Sequence, residues 1–467
     1  MDKTNFETGF SIDTSQIKFG VGITQEVGFE MKRLGAKNVL IVTDPNLTNS
    51  EPVEISKKSL EAENISVTIF DQVHVEPTDI SFKEAIEFAL EGNFDGFVAV
   101  GGGSSIDTAK AANLYTSHPA DFLTYVNAPI GLGTPVPGPL KPLVAIPTTG
   151  GTGSETTGVA IFDLISMKAK TGIAHRYLRP NVGLVDPNNS ITMPKMVQAC
   201  SGLDLLSHGL ESFTAMPFSM REAPSSPEFR PAYQGSNPIS DVWAAKAIQM
   251  CSKNIVSAVH NANDFDSRSE MMLAATFAGV GFGNAGCHLP HGMSYPVAGM
   301  VTNNIVEGYP TDKPIVPHGM SVILNAPAVF RYTAPSNPER HLEAAQLMGA
   351  DIKHANLEAQ ASGHLVINCL GDGWHLDGFE NDPGYVSSES ISSTSWWHGG
   401  MVQGYPGRTV PGYSHERART CDDRDMNTSH RYSTCSVLVV LPAQDPSISV
   451  GEKLAEFLVG DNNNVNS

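Results

Sequence analysis

Short apolar runs alternate with amphipathic ones through the first 190 residues of the chain. Residues 38–43 (Asn-Val-Leu-Ile-Val-Thr), 65–70, 97–100 and 143–146 read as continuously apolar strands, buried on both faces. Between them, residues 24–34 place Val27, Met31 and Leu34 on one helical stripe that stops at Gly35. Residues 81–91 do the same with Phe82, Ala85, Ile86 and Ala89. This alternation predicts a parallel sheet with helices on both faces. From residue 194 the period changes, and residues 242–259 and 268–278 are long helical stretches with few strand signals. The pattern therefore predicts an α/β domain over residues 1–193 and a helical domain over 194–362. Within the second, residues 217–238 are rich in Pro and Ser and read as a long inserted loop, a type that often forms functional lids. After about Gly363 the periodicity vanishes. Residues 363–467 read as an atypical, poorly packed tail without an apolar face to repay its ordering entropy.

Two strand ends carry candidate chemistry for a dinucleotide. The run Gly101-Gly102-Gly103-Ser104-Ser105-Ile106-Asp107-Thr108-Ala109-Lys110 passes from a strand through glycines into a helix. Glycines let backbone approach a pyrophosphate, and a helix N-terminus offers free N–H groups. The spacing is not G-x-G-x-x-G, so the pattern is read as a phosphate loop of another kind. The strand at 143–146 opens into Pro147-Thr148-Thr149-Gly150-Gly151-Thr152-Gly153-Ser154-Glu155, whose hydroxyls suit phosphate and ribose. The strand at 39–42 ends at Thr43-Asp44. A carboxylate there can accept both hydroxyls of an adenosine ribose and repel a 2′-phosphate, which favours NAD over NADP. Capping of the next turn is the alternative role for Asp44.

Candidate metal chemistry lies in the second domain. The pentapeptide Pro-His-Gly-Met-Ser occurs twice, at 290–294 and 317–321. Upstream, Asp204 and His208 are four apart on a predicted helix and so share a face. With His291 and His318 they supply one carboxylate and three imidazoles, a set suited to one divalent ion. Pro fixes φ and Gly permits a sharp reversal, so each Pro-His-Gly is expected to hold its imidazole on a tight corner.

Charge and composition narrow the field. A net charge of −19 argues against nucleic acid or an anionic membrane as a partner. No stretch reaches the roughly 18–20 apolar residues of a membrane span, and the first residues show no signal or transit character. The six cysteines, at 200, 251, 287, 369, 421 and 435, show no C-x-x-C spacing and are expected to be reduced thiols.

Taken together, the Gly101–Lys110 motif, the Pro147–Glu155 motif and the Asp204/His208/His291/His318 set resemble the iron-dependent (group III) alcohol dehydrogenases, over roughly residues 15–362. Residues 155–163, 230–241 and 281–296 are similar, more narrowly, to a transhydrogenase branch of that family. The resemblance implies a dehydroquinate synthase-like architecture, with an NAD-binding α/β domain before an all-helical metal-binding domain. It makes Asp204, His208, His291 and His318 the ligands of a divalent metal, iron(II) being expected and zinc the alternative. It sets Asp44, Gly102, Gly103, Ser104, Asp107, Thr148, Thr149, Thr152 and Lys170 around NAD(H). Tyr295 stands four residues after His291, where many relatives have a relay histidine, and is the candidate proton carrier. The implied reaction oxidises a hydroxyacid such as 4-hydroxybutyrate and reduces 2-oxoglutarate through bound NAD. Arg230, in the inserted loop, is the candidate partner for the substrate's remote carboxylate. The resemblance also implies a mitochondrial location, and a homo-oligomer is compatible with it. Two alternatives stay open: an alcohol dehydrogenase with exchangeable NAD, and a catalytically impaired homologue.

Overall fold

The computed structural model describes residues 5–301, 303–311 and 313–352; the tail expected after Gly363 lies outside the described residues. The first domain is built on a six-stranded, all-parallel sheet. Its strands are β1 (Gln16–Phe19), β2 (Asn38–Val42), β3 (Ser66–Phe70), β4 (Gly96–Gly101), β5 (Leu143–Pro147) and β8 (Val182–Val185), in the order β1-β8-β5-β4-β2-β3. A separate antiparallel hairpin pairs β6 (Val159–Leu164) with β7 (Ala169–Ala174).

Each central strand buries alternate residues on opposite faces. Val39 and Ile41 join Val98, Val100, Val144 and Ile146 beneath α1 (Val27–Arg33) and α2 (Glu51–Ala62). Leu40 and Val42 join Phe97, Ala99 and Ala145 on the other face, beneath α3 (Asp79–Gly92) and α4 (Gly103–Ser117). A strand with both faces covered has no place for polar side chains, which is why these runs are apolar throughout. Helix α3 starts where a capping box allows it: Thr78 accepts the Ser81 amide, and Ser81 answers the Thr78 amide.

The sheet ends at Val185, and the next long helix, α5 (Lys195–Thr214), opens a bundle with α6 (Pro238–His260) and α7 (Phe265–Ala285). The shorter helices α8 (Leu289–Met300), α9 (His318–Ile323), α10 (Ala326–Thr333) and α11 (Pro338–Leu347) complete the described part. Asn237 caps α6 by accepting the Ile239 and Ser240 amides, and Pro238 follows, where its missing N–H costs nothing. Between the domains, the buried Arg268 of α7 donates to the carbonyls of Ser190, Ile191 and Met193 and so ties down the crossover. No helix among the described residues is long and apolar enough to cross a membrane.

The inserted loop is held in place. It pairs with the N-terminal arm through Glu7 N–H to Arg221 O (2.8 Å) and Ala223 N–H to Asn5 O (2.8 Å), and Phe218 lies against Phe10. At its far end, the Gln234 and Gly235 amides donate to Asn284 and Ala285 on α7. It forms a wall, anchored at both ends.

Candidate active site

The carboxyl ends of β2, β4 and β5 and the first turns of α8 and α9 open onto one cavity of about 610 Å³ between the domains. A cleft outside the carboxyl ends of parallel strands is where this architecture binds ligands.

On the α/β side, Gly102, Gly103 and Ser104 line the cavity at the N-terminus of α4, with Thr148, Thr149 and Thr152 beside them. A Cβ on Gly103 would fall 2.7 Å from the Thr152 methyl, so the two loops interlock only because that position is bare. Asp44 also lines the cavity, and its Oδ1 accepts the Asn46 amide at 2.9 Å, so it caps the turn as well as facing the pocket. Asp107 lines the cavity too, with its carboxylate already engaged. Its carboxylate accepts from Ser154 Oγ (2.5 Å) and from the Ile161 amide (3.0 Å), binding the two loops together. Lys110, buried beside it, donates to Ser154 Oγ and Val159 O with the same effect.

Lys170 reaches the cavity from β7 with its ammonium held between Glu76 (2.9 Å) and Asp163 (3.1 Å). Glu76 also accepts the His318 amide at 2.9 Å, so this pair links the α/β domain to α9. Burial opposes charge on both partners, and their mutual attraction outweighs it, holding Lys170 cationic and Glu76 ionised. No sequence pattern marked Glu76. Its left-handed backbone (φ 55°) is the kind of strain that collects at sites, and only coordinates reveal it.

On the helical side, Asp204, His208, His291 and His318 converge. Asp204 Oδ2 lies 3.7 Å from His208 Nδ1, and its Oδ1 lies 3.4 Å from His291 Nε2 and 3.6 Å from His318 Nε2. Two ligands each about 2.1 Å from one ion stand roughly 3.0–3.4 Å apart in octahedral or tetrahedral geometry, close to these separations. Asp204 Oδ1, His208 Nδ1 and His291 Nε2 are buried without a hydrogen-bond partner. Orphaned polar atoms aimed at one point are costly unless a cation satisfies them, so these residues fit a divalent ion. Burial pushes the His208 pKa down to about 4, which keeps that imidazole neutral and its lone pair available.

How the imidazoles are held differs from the expected tight corners. Both Pro-His-Gly segments open helices: Pro290 and His291 lie in the first turn of α8, and Pro317 caps α9 with His318 as its first residue. Gly319 serves close approach instead of reversal, since a Cβ there would lie 1.9 Å from Cys200 O on α5. That contact brings His318 alongside Asp204. A support the sequence did not reveal is Glu211, one turn beyond His208. It accepts from His291 Nδ1 and from the His288 amide, both at 2.6 Å, which fixes the ring and turns Nε2 toward Asp204.

Tyr295 and Tyr233, the latter carried in by the inserted loop, line the same cavity. Arg230 does not. Its guanidinium is paired with Glu7 at 3.0 and 3.2 Å on the outer side of that loop, because the N-terminal arm offers a carboxylate there. Apart from the imidazoles, Lys170 is the one basic side chain among the described residues lining the cavity.

The chain matches known proteins along most of this architecture. The model of iron-containing alcohol dehydrogenase matches residues 14–187, and that of the family's C-terminal part matches 232–368. A hydroxyacid-oxoacid transhydrogenase, mitochondrial, of Mus musculus is 57% identical over 363 residues, 77% of this chain and 78% of that protein. Its counterpart of Homo sapiens is 55% identical over 363 residues, 77% of each. Among solved structures, a 1,3-propanediol oxidoreductase superposes with TM-score 0.66 at 28% identity, covering 78% of this chain and 87% of its own. The chain thus belongs to the iron-containing alcohol dehydrogenase family, on the side of it that carries the hydroxyacid-oxoacid transhydrogenases.

Proposed function

We propose that the chain is a metal- and NAD-dependent oxidoreductase that oxidises a hydroxyacid such as 4-hydroxybutyrate while reducing 2-oxoglutarate to 2-hydroxyglutarate. The observation that carries this reading is the meeting of the Asp204/His208/His291/His318 set with the glycine loops in one cavity. The relatives at 55–57% identity bear the transhydrogenase name and are named as mitochondrial, and the same activity and compartment are proposed here.

A divalent ion held by these four side chains, iron(II) in this proposal, would supply Lewis acidity toward the hydroxyl or oxo oxygen of the substrate. NAD would supply the hydride acceptor and donor. The chain's own residues do the positioning. Gly102 and Gly103 would let backbone N–H groups of α4 approach the pyrophosphate, and Asp44 would accept from the adenosine ribose. Glu211 keeps His291 turned toward Asp204. Burial raises the pKa of Tyr295 and keeps its hydroxyl protonated, so it would serve as a hydrogen-bond donor to the substrate oxygen. Purified full-length protein, mixed with 4-hydroxybutyrate and 2-oxoglutarate and no added NAD, should form 2-hydroxyglutarate. Turnover that requires added NAD would make it an ordinary dehydrogenase, and none with either would remove the reading.

A further inference from the structure

A second metal-competent cluster overlaps the first. Donor atoms of His208, Cys287 and His291 lie within 4.8 Å of one another, as do those of Asp204, His291 and His318. His291 belongs to both sets. Cys287 is half-buried and faces the cavity. His208 supplies an orphaned donor atom to this set as it does to the first. It is 94% buried, its Nδ1 has no hydrogen-bond partner, and Phe282 stacked at 3.9 Å together with His291 at 4.5 Å holds its ring in place. Cys200, the other described thiol on the cavity wall, forms no such set among the described residues.

We propose that His208, Cys287 and His291 form a thiolate-bearing metal position beside the carboxylate-bearing one, and that thiophilic divalent ions such as zinc or cadmium are held there. This rests on the reading of the cavity as a metal site. The ligand chemistry separates the two positions. A carboxylate with imidazoles suits a harder ion such as iron(II), whereas thiolate with imidazoles suits zinc and its heavier congener. Binding forms a metal–sulfur bond and releases the Cys287 proton to water in the cavity, with no change of oxidation state. Because His208 and His291 serve both positions, the two ions exclude each other. Zinc captured at Cys287 would occupy the lone pairs of both imidazoles and leave Asp204 without them.

The test uses the full chain, stripped with a chelator and titrated with cadmium ion. The readouts are the ultraviolet thiolate-to-cadmium charge-transfer band and the number of ions bound. One ion per chain with the band present, the band lost in Cys287→Ser and retained in Cys200→Ser, is the expected result. Asp204→Asn should lose iron(II) binding and keep the band. Should Cys287→Ser fail to fold, alkylation of Cys287 in the wild-type chain, read by peptide mass, should be blocked by cadmium and not by magnesium. A band that persists in Cys287→Ser, an unprotected Cys287, or no band in a chain that still binds iron(II) would overturn the thiolate position alone. Failure to bind any divalent ion would overturn both this inference and the metal reading beneath it.

Discussion

The two walls of the cavity do their work by different means. On the α/β side the contacts come from loop backbone and short hydroxyl side chains, and the decisive residues are those with nothing beyond Cα. On the helical side they come from imidazoles and one carboxylate, each set on a helix and aimed inward. A backbone-borne site tolerates little bulk, and a side-chain-borne site tolerates little change of ligand. The walls should therefore fail in different ways.

The largest effect should follow His291→Ala, which removes a ligand shared by both candidate metal sets. The chain should lose bound metal and lose kcat by roughly 10³-fold or more, as removal of a Lewis acid worth several kcal/mol requires. Metal analysis and steady-state rates check both, while circular dichroism should show the fold retained. On the opposite wall, Asp44→Gly should leave metal content alone and relax NAD over NADP preference. Loss of charge-assisted contacts of roughly 1.5–3 kcal/mol corresponds to about 10–150-fold, read as the ratio of the two cofactors' dissociation constants. Unchanged discrimination would leave Asp44 only its capping role.

Glu211→Gln tests how far the helical wall depends on its support. Metal affinity should fall by about 10–100-fold, with the ligands all present, as metal titration would show. Wild-type affinity in this variant would make the Glu211–His291 bond dispensable. The smallest effect belongs to Arg230→Gln. With Arg230 paired to Glu7 outside the cavity, discrimination between 2-oxoglutarate and a neutral aldehyde should not change. Stability should fall by only about 0.2–1 kcal/mol, measured by denaturant unfolding. A selective loss for the diacid would bring the loop charge back into the site.

The same contrast explains what could be read before the coordinates. Glycine runs after apolar strands, and a histidine pentapeptide used twice, are local signals, and the residues they mark meet in the cavity. Helix α2 was harder to see because its buried stripe is Val53, Ser56 and Leu60. The serine interrupts the apolar period, and its hydroxyl is satisfied by Pro52 O at 2.7 Å. Strand β1 has four residues and no repeating pattern to detect. Glu211 and Glu76 escaped for another reason. Each acts on a partner far along the chain, His291 and Lys170, and no spacing announces such a meeting. Arg230 shows the converse: a charge in a distinctive loop suggests a role in the site, while the residue that answers it sits 223 positions earlier.

Gly153, in the second phosphate loop, meets Gly279 of α7 so closely that a Cβ on Gly153 would lie 2.6 Å from Gly279 Cα. Here the loop and the helical bundle touch backbone to backbone. The contact acts as a gauge block, and in the proposed reaction it would set how far a nicotinamide at one wall stands from an oxygen held at the other. Side chains can rotate to absorb an error, but two bare backbones cannot. A methyl group at Gly279 would meet Thr156 Oγ1 at 2.3 Å and Gly153 O at 2.8 Å, so it would force the loop and the bundle apart and widen the gap that the proposed hydride transfer must cross.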